Sequence, residues 1–132
     1  MAIEYRVNAE LTPEELAGVF EKSGIDRPVH DRERLRKMIA HANLTVTAWG
    51  DGNLVGVARA LTDFCWCCYL SDLAVDKAYQ HQGIGKALIA RVRAEAGEDA
   101  NLLLLSAPEA MEYYPKIGLE AVTNGWIWKR LR

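Results

Sequence analysis

The sequence predicts a single domain of the α/β or α+β sandwich class over residues 1–132, with a mixed central sheet of about six to seven strands and about four flanking helices. Apolar residues recur with strand or helix periodicity in the order β-α-α-β-β-β-α-β-α-β-β. No repeat, low-complexity segment or long linker divides this order. The run NLLLLSA is short, unbroken and apolar, as is typical of a strand that is buried on both faces and has a parallel neighbour. A chain of this length has room for one hydrophobic core.

Two helices are predicted between the first strand, at Glu4–Val7, and the main strands. The first helix begins with a capping box, in which Thr12 caps and Glu15 reaches back, and it ends at Gly24. The second begins near Asp31, because DRERLRKMIAHA places its apolar residues on one stripe.

The remaining elements follow in order along the chain. We expect a hairpin that turns at Gly50–Asn53, a strand that ends at Val75, and a helix that ends near Gly97. After the buried strand NLLLLSA, a brief helix covers PEAMEYYPKIG. Two final strands, Leu119–Val122 and Trp126–Lys129, are joined through Asn124-Gly125.

Composition and charge narrow the expected partners. With 16 Lys and Arg against 18 Asp and Glu, the formal net charge of −2 gives no general attraction to nucleic acid or anionic membrane. No apolar stretch reaches the roughly 20 residues of a membrane helix, and the first residues do not resemble a signal peptide. We therefore expect a cytoplasmic protein.

The cysteines and histidines indicate neither a disulfide framework nor a metal site. The three cysteines crowd into FCWCCY and are read as reduced thiols that strand packing explains. The three histidines, at positions 30, 41 and 81, do not have the spacing of metal ligands. No metal is expected.

Two glycines open the helix that follows the strand ending at Val75. The segment Gln80–Gly85 brings bare backbone to a helix N-terminus, where unpaired N–H groups and the helix dipole favour a phosphate or pyrophosphate. The segment does not match the P-loop motif, because Ala87 follows the lysine where serine or threonine is required. It does not match the dinucleotide-binding motif either, because Leu88 stands in place of the third glycine. The alternative is that the glycines only shape a tight strand-to-helix turn.

Two ordered motifs resemble those of a known family. QHQGIG resembles the acetyl-CoA-binding signature Q/R-x-x-G-x-G/A of the GCN5-related N-acetyltransferases, the GNAT family. Downstream, AMEYYPKIGL is similar to that family's A-x-x-F-Y-x-K-x-G-F segment. Together with the order of elements, the resemblance covers nearly the whole chain.

The resemblance implies acetyl-CoA as co-substrate and assigns its contacts. Main-chain groups of Leu73, Ala74 and Val75 would hold the pantetheine arm and acetyl carbonyl like an added strand. The pyrophosphate would be surrounded by Gln80, His81, Gln82, Gly83, Ile84, Gly85 and Lys86.

The same resemblance assigns the proton for the departing thiolate to Tyr114, whose alternative role is that of a core aromatic. Two positions depart from the family pattern. Ala107 stands where an asparagine is frequent, and Pro115 replaces an acidic residue and is tolerable only near a helix start or at a kink. Ser106 is expected to bind the cofactor in place of the asparagine.

The general base is expected to be Asp72, beside Leu73, with a structural hydrogen bond as its alternative role. Asp63 and Asp26 are the other candidates for the base. By the resemblance, the loop SGIDRPVHD would help to build the acceptor site. Carboxylates in the N-terminal half predict a cationic amine as acceptor: Asp26, Asp31, Asp63 and Asp72.

The expected function is acetyl transfer to a primary amine of a small molecule or peptide. The alternative is a catalytically weak regulatory module that binds CoA or acyl-CoA. A donor with an acyl group other than acetyl is a further alternative, since backbone contacts to CoA hardly distinguish one acyl group from another. No nucleic acid or membrane partner is expected, and a homodimer is left open.

Overall fold

The computed structural model describes residues 2–132 as a five-stranded sheet with helices on both faces. The strands lie in the order of the chain; the first four are antiparallel, and the fifth runs parallel to the fourth. The strands are β1 (Ile3–Val7), β2 (Leu44–Gly50), β3 (Asn53–Thr62), β4 (Cys67–Val75) and β5 (Asn101–Leu104). The helices are α1 (Pro13–Ser23), α2 (Arg32–His41), α3 (Ile84–Ala96) and the short α4 (Tyr113–Lys116), with single 3₁₀ turns at Lys77–Tyr79 and Pro108–Ala110.

The helix ends follow the capping signals in the sequence. Thr12 Oγ1 accepts from the Glu15 backbone N–H at 3.1 Å, while Glu15 Oε1 accepts from the Thr12 N–H at 3.0 Å. Gly24 ends α1 with a φ of +82°, a conformation that costs glycine little. Asp31 caps α2 by accepting from the Arg34 N–H. The predicted capping box and both helix boundaries are confirmed.

The sheet separates two apolar clusters. On one face, α1 and α2 bury Leu16, Phe20 and Leu35 against the sheet. On the other face, α3 packs Leu88 and Val92 onto β2, β3 and β4. Burying a side chain of this size contributes about 1.5–3 kcal/mol, so these contacts fix the layers.

Close packing of α3 depends on one glycine in β3. A Cβ on Gly56 would lie 3.1 Å from Leu88 Cδ1 and 3.2 Å from Ile84 Cγ2. Both distances are tighter than ordinary contact, so the bare backbone lets the first turns of α3 lie close on the sheet.

The predicted count of six to seven strands is wrong, because the sheet has five. The two predicted terminal strands, Leu119–Val122 and Trp126–Lys129, are not formed, and residues 120–132 are exposed. The residue types of this segment favour strands, but that preference reflects packing against cross-strand and same-face neighbours. The segment has no such neighbours in this structure, since the side chains of Trp126 and Trp128 are 97% and 102% exposed.

A β-bulge interrupts the pairing of β3 with β4. Arg59 pairs with Asp72 and Ala60 with Leu70, so Ser71 has no partner on β3. A bulge shifts the alternation of side chains along the strand. Leu70 accordingly faces α3, whereas Asp72 faces the α1 and α2 side.

The cysteine thiols are free, as expected. Cys68 is buried in the cluster beneath α3, and Cys65 and Cys67 are exposed near the start of β4.

Candidate active site

The outer edge of β4 is open along the second half of the strand. Parallel pairing with β5 begins at Cys67 and ends where Leu70 meets Leu104. Beyond that point, β3 still pairs with β4 on its other side as far as Val75. The backbone after Leu70 therefore lacks a β5 partner, and an extended ligand can add there as a strand adds to a sheet.

The first turn of α3 lies beside this open edge. Gly83 is its N-cap, with a φ of +81°, and no side chain caps the turn. The N–H groups of Ile84, Gly85 and Lys86 precede the first intrahelical bond, which Ala87 donates to the Gly83 carbonyl. His81 also has a positive φ, of 64°. The loop and helix start thus present several unpartnered donors at the positive end of the α3 dipole, which suits an anion.

Gly85 is the point at which β4, α3 and α4 meet. A Cβ built there would lie 3.4 Å from the Tyr113 hydroxyl and 3.9 Å from Val75 Cγ2. The strand edge and the helix N-terminus therefore form one continuous site. A ligand with an extended polar arm and a phosphate group fits both parts.

The other residues expected at this site lie around it. Leu73 and Val75 are half-buried on the α3 side, and Ala74 is buried against α1. Gln80 donates from Nε2 to the Val75 carbonyl at 3.0 Å, so its side chain tethers the loop to the strand. Exposed positions in the loop and first turn are His81, Gln82, Gly83 and Lys86.

Two neighbouring tyrosines border the site. The rings of Tyr113 and Tyr114 are edge to face, with centroids 5.2 Å apart and an interplanar angle of 75°. Tyr114 is half-buried against the α3-side cluster, and burial raises the pKa of its hydroxyl, with the neighbouring Tyr113 adding to the effect. Burial also raises the pKa of Tyr113. Both hydroxyls therefore hold their protons at neutral pH.

Tyr113 was missed as a site residue in the sequence. Its hydroxyl lies beside Gly85 in the first turn of α3. The sequence did contain a signal for it, because Tyr113 stands where the family segment has phenylalanine and so adds a hydroxyl at that position.

Asp72 lies in a buried cluster of charges. Its side chain is fully buried; Oδ1 accepts from Arg27 Nε at 2.6 Å, and Oδ2 accepts from Arg59 Nε. The same two guanidinium groups also donate to Ser71, from Arg27 to its carbonyl and from Arg59 to its hydroxyl. With both oxygens engaged by cations and no exposed surface, this geometry favours the structural role for Asp72 over that of a base.

The cluster anchors the loop between α1 and α2. Arg27 lies in that loop, residues 24–31, and it is joined to β4 across 45 positions of sequence. Arg59 also donates to the Met38 carbonyl of α2 at 3.4 Å. The loop expected to build the acceptor site is thus fastened to the bulge of β4 beside the open edge.

Two of the other carboxylates expected to attract a cationic acceptor have structural roles. Asp31 caps α2. Asp63 accepts from the N–H groups of Cys65, Trp66 and Cys67, and these hydrogen bonds hold its pKa far below the usual range. Asp26 is exposed in the loop, so it is the carboxylate of the four that is available to an acceptor.

The departures from the family pattern have local explanations. Ala107 is the N-cap of the 3₁₀ turn at Pro108–Ala110, and no side chain caps that turn. Pro115 lies in the first turn of α4, where its missing N–H is tolerated. Ser106 donates its hydroxyl to the Met111 sulfur.

The described part of the chain, residues 2–132, contains no group of three His, Cys, Asp or Glu side chains that could hold a metal ion. No helix in this range is long and apolar enough to span a bilayer.

Comparison with known proteins decides the family. A family model described as "Acetyltransferase (GNAT) domain" matches residues 8–126. The chain belongs to this family. A GNAT relative from Arabidopsis thaliana, "GCN5-related N-acetyltransferase 2, chloroplastic", is 37% identical in an alignment 84 residues long that covers 58% of this chain and 33% of the relative. The chain thus spans about a third of that relative's length, and the cytoplasmic location stays a prediction.

Solved GNAT structures share the fold over nearly the whole chain. A "Probable Acetyltransferase" from Staphylococcus aureus superposes with a TM-score of 0.83 at 21% identity, covering 98% of this chain and 99% of that one. An aminoglycoside N-acetyltransferase solved in complex with CoA has a TM-score of 0.72 at 17% identity, covering 99% and 96%. A CoA complex within this family agrees with acetyl-CoA as the expected co-substrate.

Proposed function

We propose that this chain transfers an acetyl group from acetyl-CoA directly to a primary amine of a small molecule or peptide. The observation that carries the proposal is the junction at Gly85, where an open strand edge meets an uncapped helix N-terminus. Family membership supplies the reaction class, and this junction supplies a site of matching chemistry.

The donor would lie along two parts of this junction. The pantetheine arm would pair with the β4 backbone at Leu73–Val75, where β5 has separated from the strand. The pyrophosphate would accept hydrogen bonds from the first-turn amides of α3, with Lys86 as a nearby cation. Each charge-assisted bond contributes about 1.5–3 kcal/mol, so several together outweigh the 0.3–1 kcal/mol of the helix dipole.

The proton for the departing thiolate would come from Tyr114. Burial raises the pKa of its hydroxyl, which therefore carries its proton at neutral pH, and its position in the second motif supports this assignment. Tyr113, whose hydroxyl lies next to Gly85, is assigned to positioning the donor.

We assign the acceptor to the side of the cleft formed by the 24–31 loop. Asp72 would serve there by holding Arg27, and through it the loop, rather than by taking a proton. Asp26 is exposed in the loop and would attract the ammonium form of the amine.

The second candidate function is a regulatory module that binds CoA or acyl-CoA without efficient turnover. The sequestered carboxylate of Asp72 favours it, since the residue expected to act as base is held by two guanidinium groups. Both candidates require donor binding, and turnover alone separates them.

The test is an amine-library screen with acetyl-CoA that follows release of free thiol, combined with thermal shift by acetyl-CoA. Turnover on one amine class together with a donor-dependent rise in Tm supports the transferase, because a ligand that binds the folded state stabilises it. A rise in Tm without thiol release across the library supports the binding module. Absence of any donor-dependent shift contradicts both.

A further inference from the structure

An exposed apolar patch lies on the sheet face that carries α1 and α2. Leu61 pairs with Tyr69, and Tyr69 pairs with Leu103, so the three side chains adjoin across β3, β4 and β5. They are 42%, 39% and 45% exposed, respectively. Their neighbours Ala60 and Cys68 pack on the α3 side, so by alternation these three side chains point the other way. We call Leu61, Tyr69 and Leu103 the sheet patch.

The sheet patch adjoins the residues that fasten the loop between α1 and α2. Leu61 lies two positions after Arg59 on β3, so the two residues share a face and are about 7 Å apart along the strand. Arg59 donates to the Ser71 hydroxyl, and Arg27 of the loop donates to the Ser71 carbonyl. Tyr69 lies two positions before Ser71 on β4. The patch therefore continues the side of the cleft that we assign to the acceptor.

The sheet patch also ends where the proposed donor edge begins. The pair of Tyr69 with Leu103 is followed by the pair of Leu70 with Leu104, which is the last between β4 and β5. The open edge of β4 starts at the next residue. A group on the patch is therefore one or two residue steps, roughly 3–7 Å, from the start of that edge. An acceptor whose amine reaches the donor can place the rest of its structure on the patch.

The charges beside the sheet patch do not suit a second ammonium group. Arg27 and Arg59 share the single carboxylate of Asp72, so this cluster carries an excess of positive charge. Asp63, two positions beyond Leu61, accepts three backbone N–H groups of the following turn. A second cation on the patch would meet the excess positive charge of the arginines, whereas apolar carbon atoms gain by covering exposed leucine and tyrosine side chains.

We propose that the acceptor is a monoamine with an apolar substituent, and that this substituent lies on the sheet patch. The inference rests on the proposed acetyl transfer and names the class of acceptor for it. The amine nitrogen forms a bond to the acetyl carbon, the carbon–sulfur bond breaks, and one amine proton is transferred in the net balance to give the CoA thiol. Three adjacent strands make the patch roughly 10 Å wide, which limits the length of the substituent.

The first test compares the kcat/KM values of straight-chain primary amines from propylamine to hexylamine, with acetyl-CoA as donor. We expect a rise of roughly two- to fourfold for each added methylene, because each one covers more of the patch. The matched partner of hexylamine is 1,6-diaminohexane, which has the same chain length and a second ammonium group. Its kcat/KM should be lower by roughly 10-fold or more, since the second ammonium loses its hydration without gaining a partner.

Variants of the sheet patch assign the preference to these residues. Leu61→Ser with Leu103→Ser should abolish the dependence on chain length while leaving propylamine turnover nearly unchanged. Leu103→Glu places a carboxylate on the patch and should reverse the preference in favour of the diamine. Val7→Ser is the matched control, because Val7 is 38% exposed on β1 at the opposite edge of the sheet. Far-UV circular dichroism verifies that each variant is folded.

The second test measures acceptor binding without turnover, by calorimetric titration of hexylamine into the protein saturated with CoA. Binding that is weakened in the double serine variant supports the patch, and if no amine releases thiol, only the proposed transfer fails. Absence of hexylamine binding to the wild-type protein overturns the inference.

Three further outcomes also overturn the inference and leave the proposed transfer intact. The first is turnover that ignores chain length or favours the diamine in the wild-type protein. The second is a patch variant that changes the preference between acetyl-CoA and hexanoyl-CoA but not the preference among amines, which would place the acyl chain on the patch. The third is a patch variant that changes only the oligomeric state in sedimentation velocity, which would make the patch an interface between copies.

Discussion

Replacing Asp72 by asparagine separates its two predicted roles. The substitution keeps the size of the side chain and removes its charge. Arg59, whose side chain is 9% exposed, and Arg27, at 27%, would then face each other with no anion between them. We expect a large loss of stability, because a buried guanidinium without its partner is costly.

The magnitude follows from burial and from the number of ion pairs that the substitution breaks. Removing the charged partner of a buried pair costs about 3–5 kcal/mol, and Asp72 is the anion for two cations. Arg27→Ala leaves Asp72 paired with Arg59, so its cost should be nearer that of a single charged hydrogen bond, about 1.5–3 kcal/mol. Asp72→Asn should therefore be the more destabilising of the two.

Urea unfolding at neutral pH, followed by circular dichroism, measures both free energies. The matched control is Glu33→Gln, which removes the same kind of Arg–carboxylate pair from the surface of α2, where both side chains are more than half exposed, and should leave the unfolding midpoint unchanged. If Asp72→Asn unfolds at the wild-type midpoint and only shifts the acidic limb of the pH–rate profile, Asp72 is the base and the anchoring argument is refuted.

The remaining predictions concern the donor site and the acceptor loop. Tyr114→Phe should keep acetyl-CoA binding but lower kcat by roughly 10²-fold or more, and equal kcat would return the tyrosine to a packing role. Since burial raises the Tyr114 pKa, the contribution of Tyr114 to folding stability and to kcat should be lost only above the usual tyrosine pKa of about 10, as a pH series of unfolding and initial rates, compared with Tyr114→Phe, would show. Gly83→Ala forces a side chain into φ +81° at a cost of about 1–2 kcal/mol and should weaken acetyl-CoA binding in calorimetry, whereas Gly18→Ala, in open space on α1, should not. Arg27→Ala should raise the KM of the acceptor with little change in the acetyl-CoA affinity, and Arg27→Lys should restore part of it; a collapse of donor affinity instead would contradict the assigned division of the cleft.

Local signals in the sequence predicted the parts of the fold that depend on local chemistry. The capping box at Thr12 and the glycine at position 24 act within one turn of helix, and both were confirmed. The terminal strands were not formed. The residue types in the 119–132 segment favour strand structure, but this preference does not supply a neighbouring strand to pair with. Which strands pair depends on contacts between residues far apart in sequence, and hydrophobic periodicity carries no information about those contacts.

The role of Asp72 was hidden by the bulge at Ser71. Cys68, Leu70, Asp72 and Ala74 alternate as if they shared one face of a strand, yet the extra residue turns the last two to the opposite face. Neither Arg27 nor Arg59 could be linked to Asp72 from sequence, since each guanidinium reaches it through tertiary packing.

The bulge also connects the two halves of the proposed reaction site. It lies at the point where β4 stops pairing with β5, so the strand edge proposed for the donor begins beside it. On the other face, it turns Asp72 toward Arg27, which fastens the loop proposed for the acceptor. A single inserted residue therefore lies between the proposed donor edge and the loop proposed for the acceptor. Deleting Ser71 would make Leu70 and Asp72 consecutive in a regular ladder, so Asp72 would still face Arg59 on the α1 and α2 side, but the hydrogen bonds that Arg27 and Arg59 donate to Ser71 would be lost.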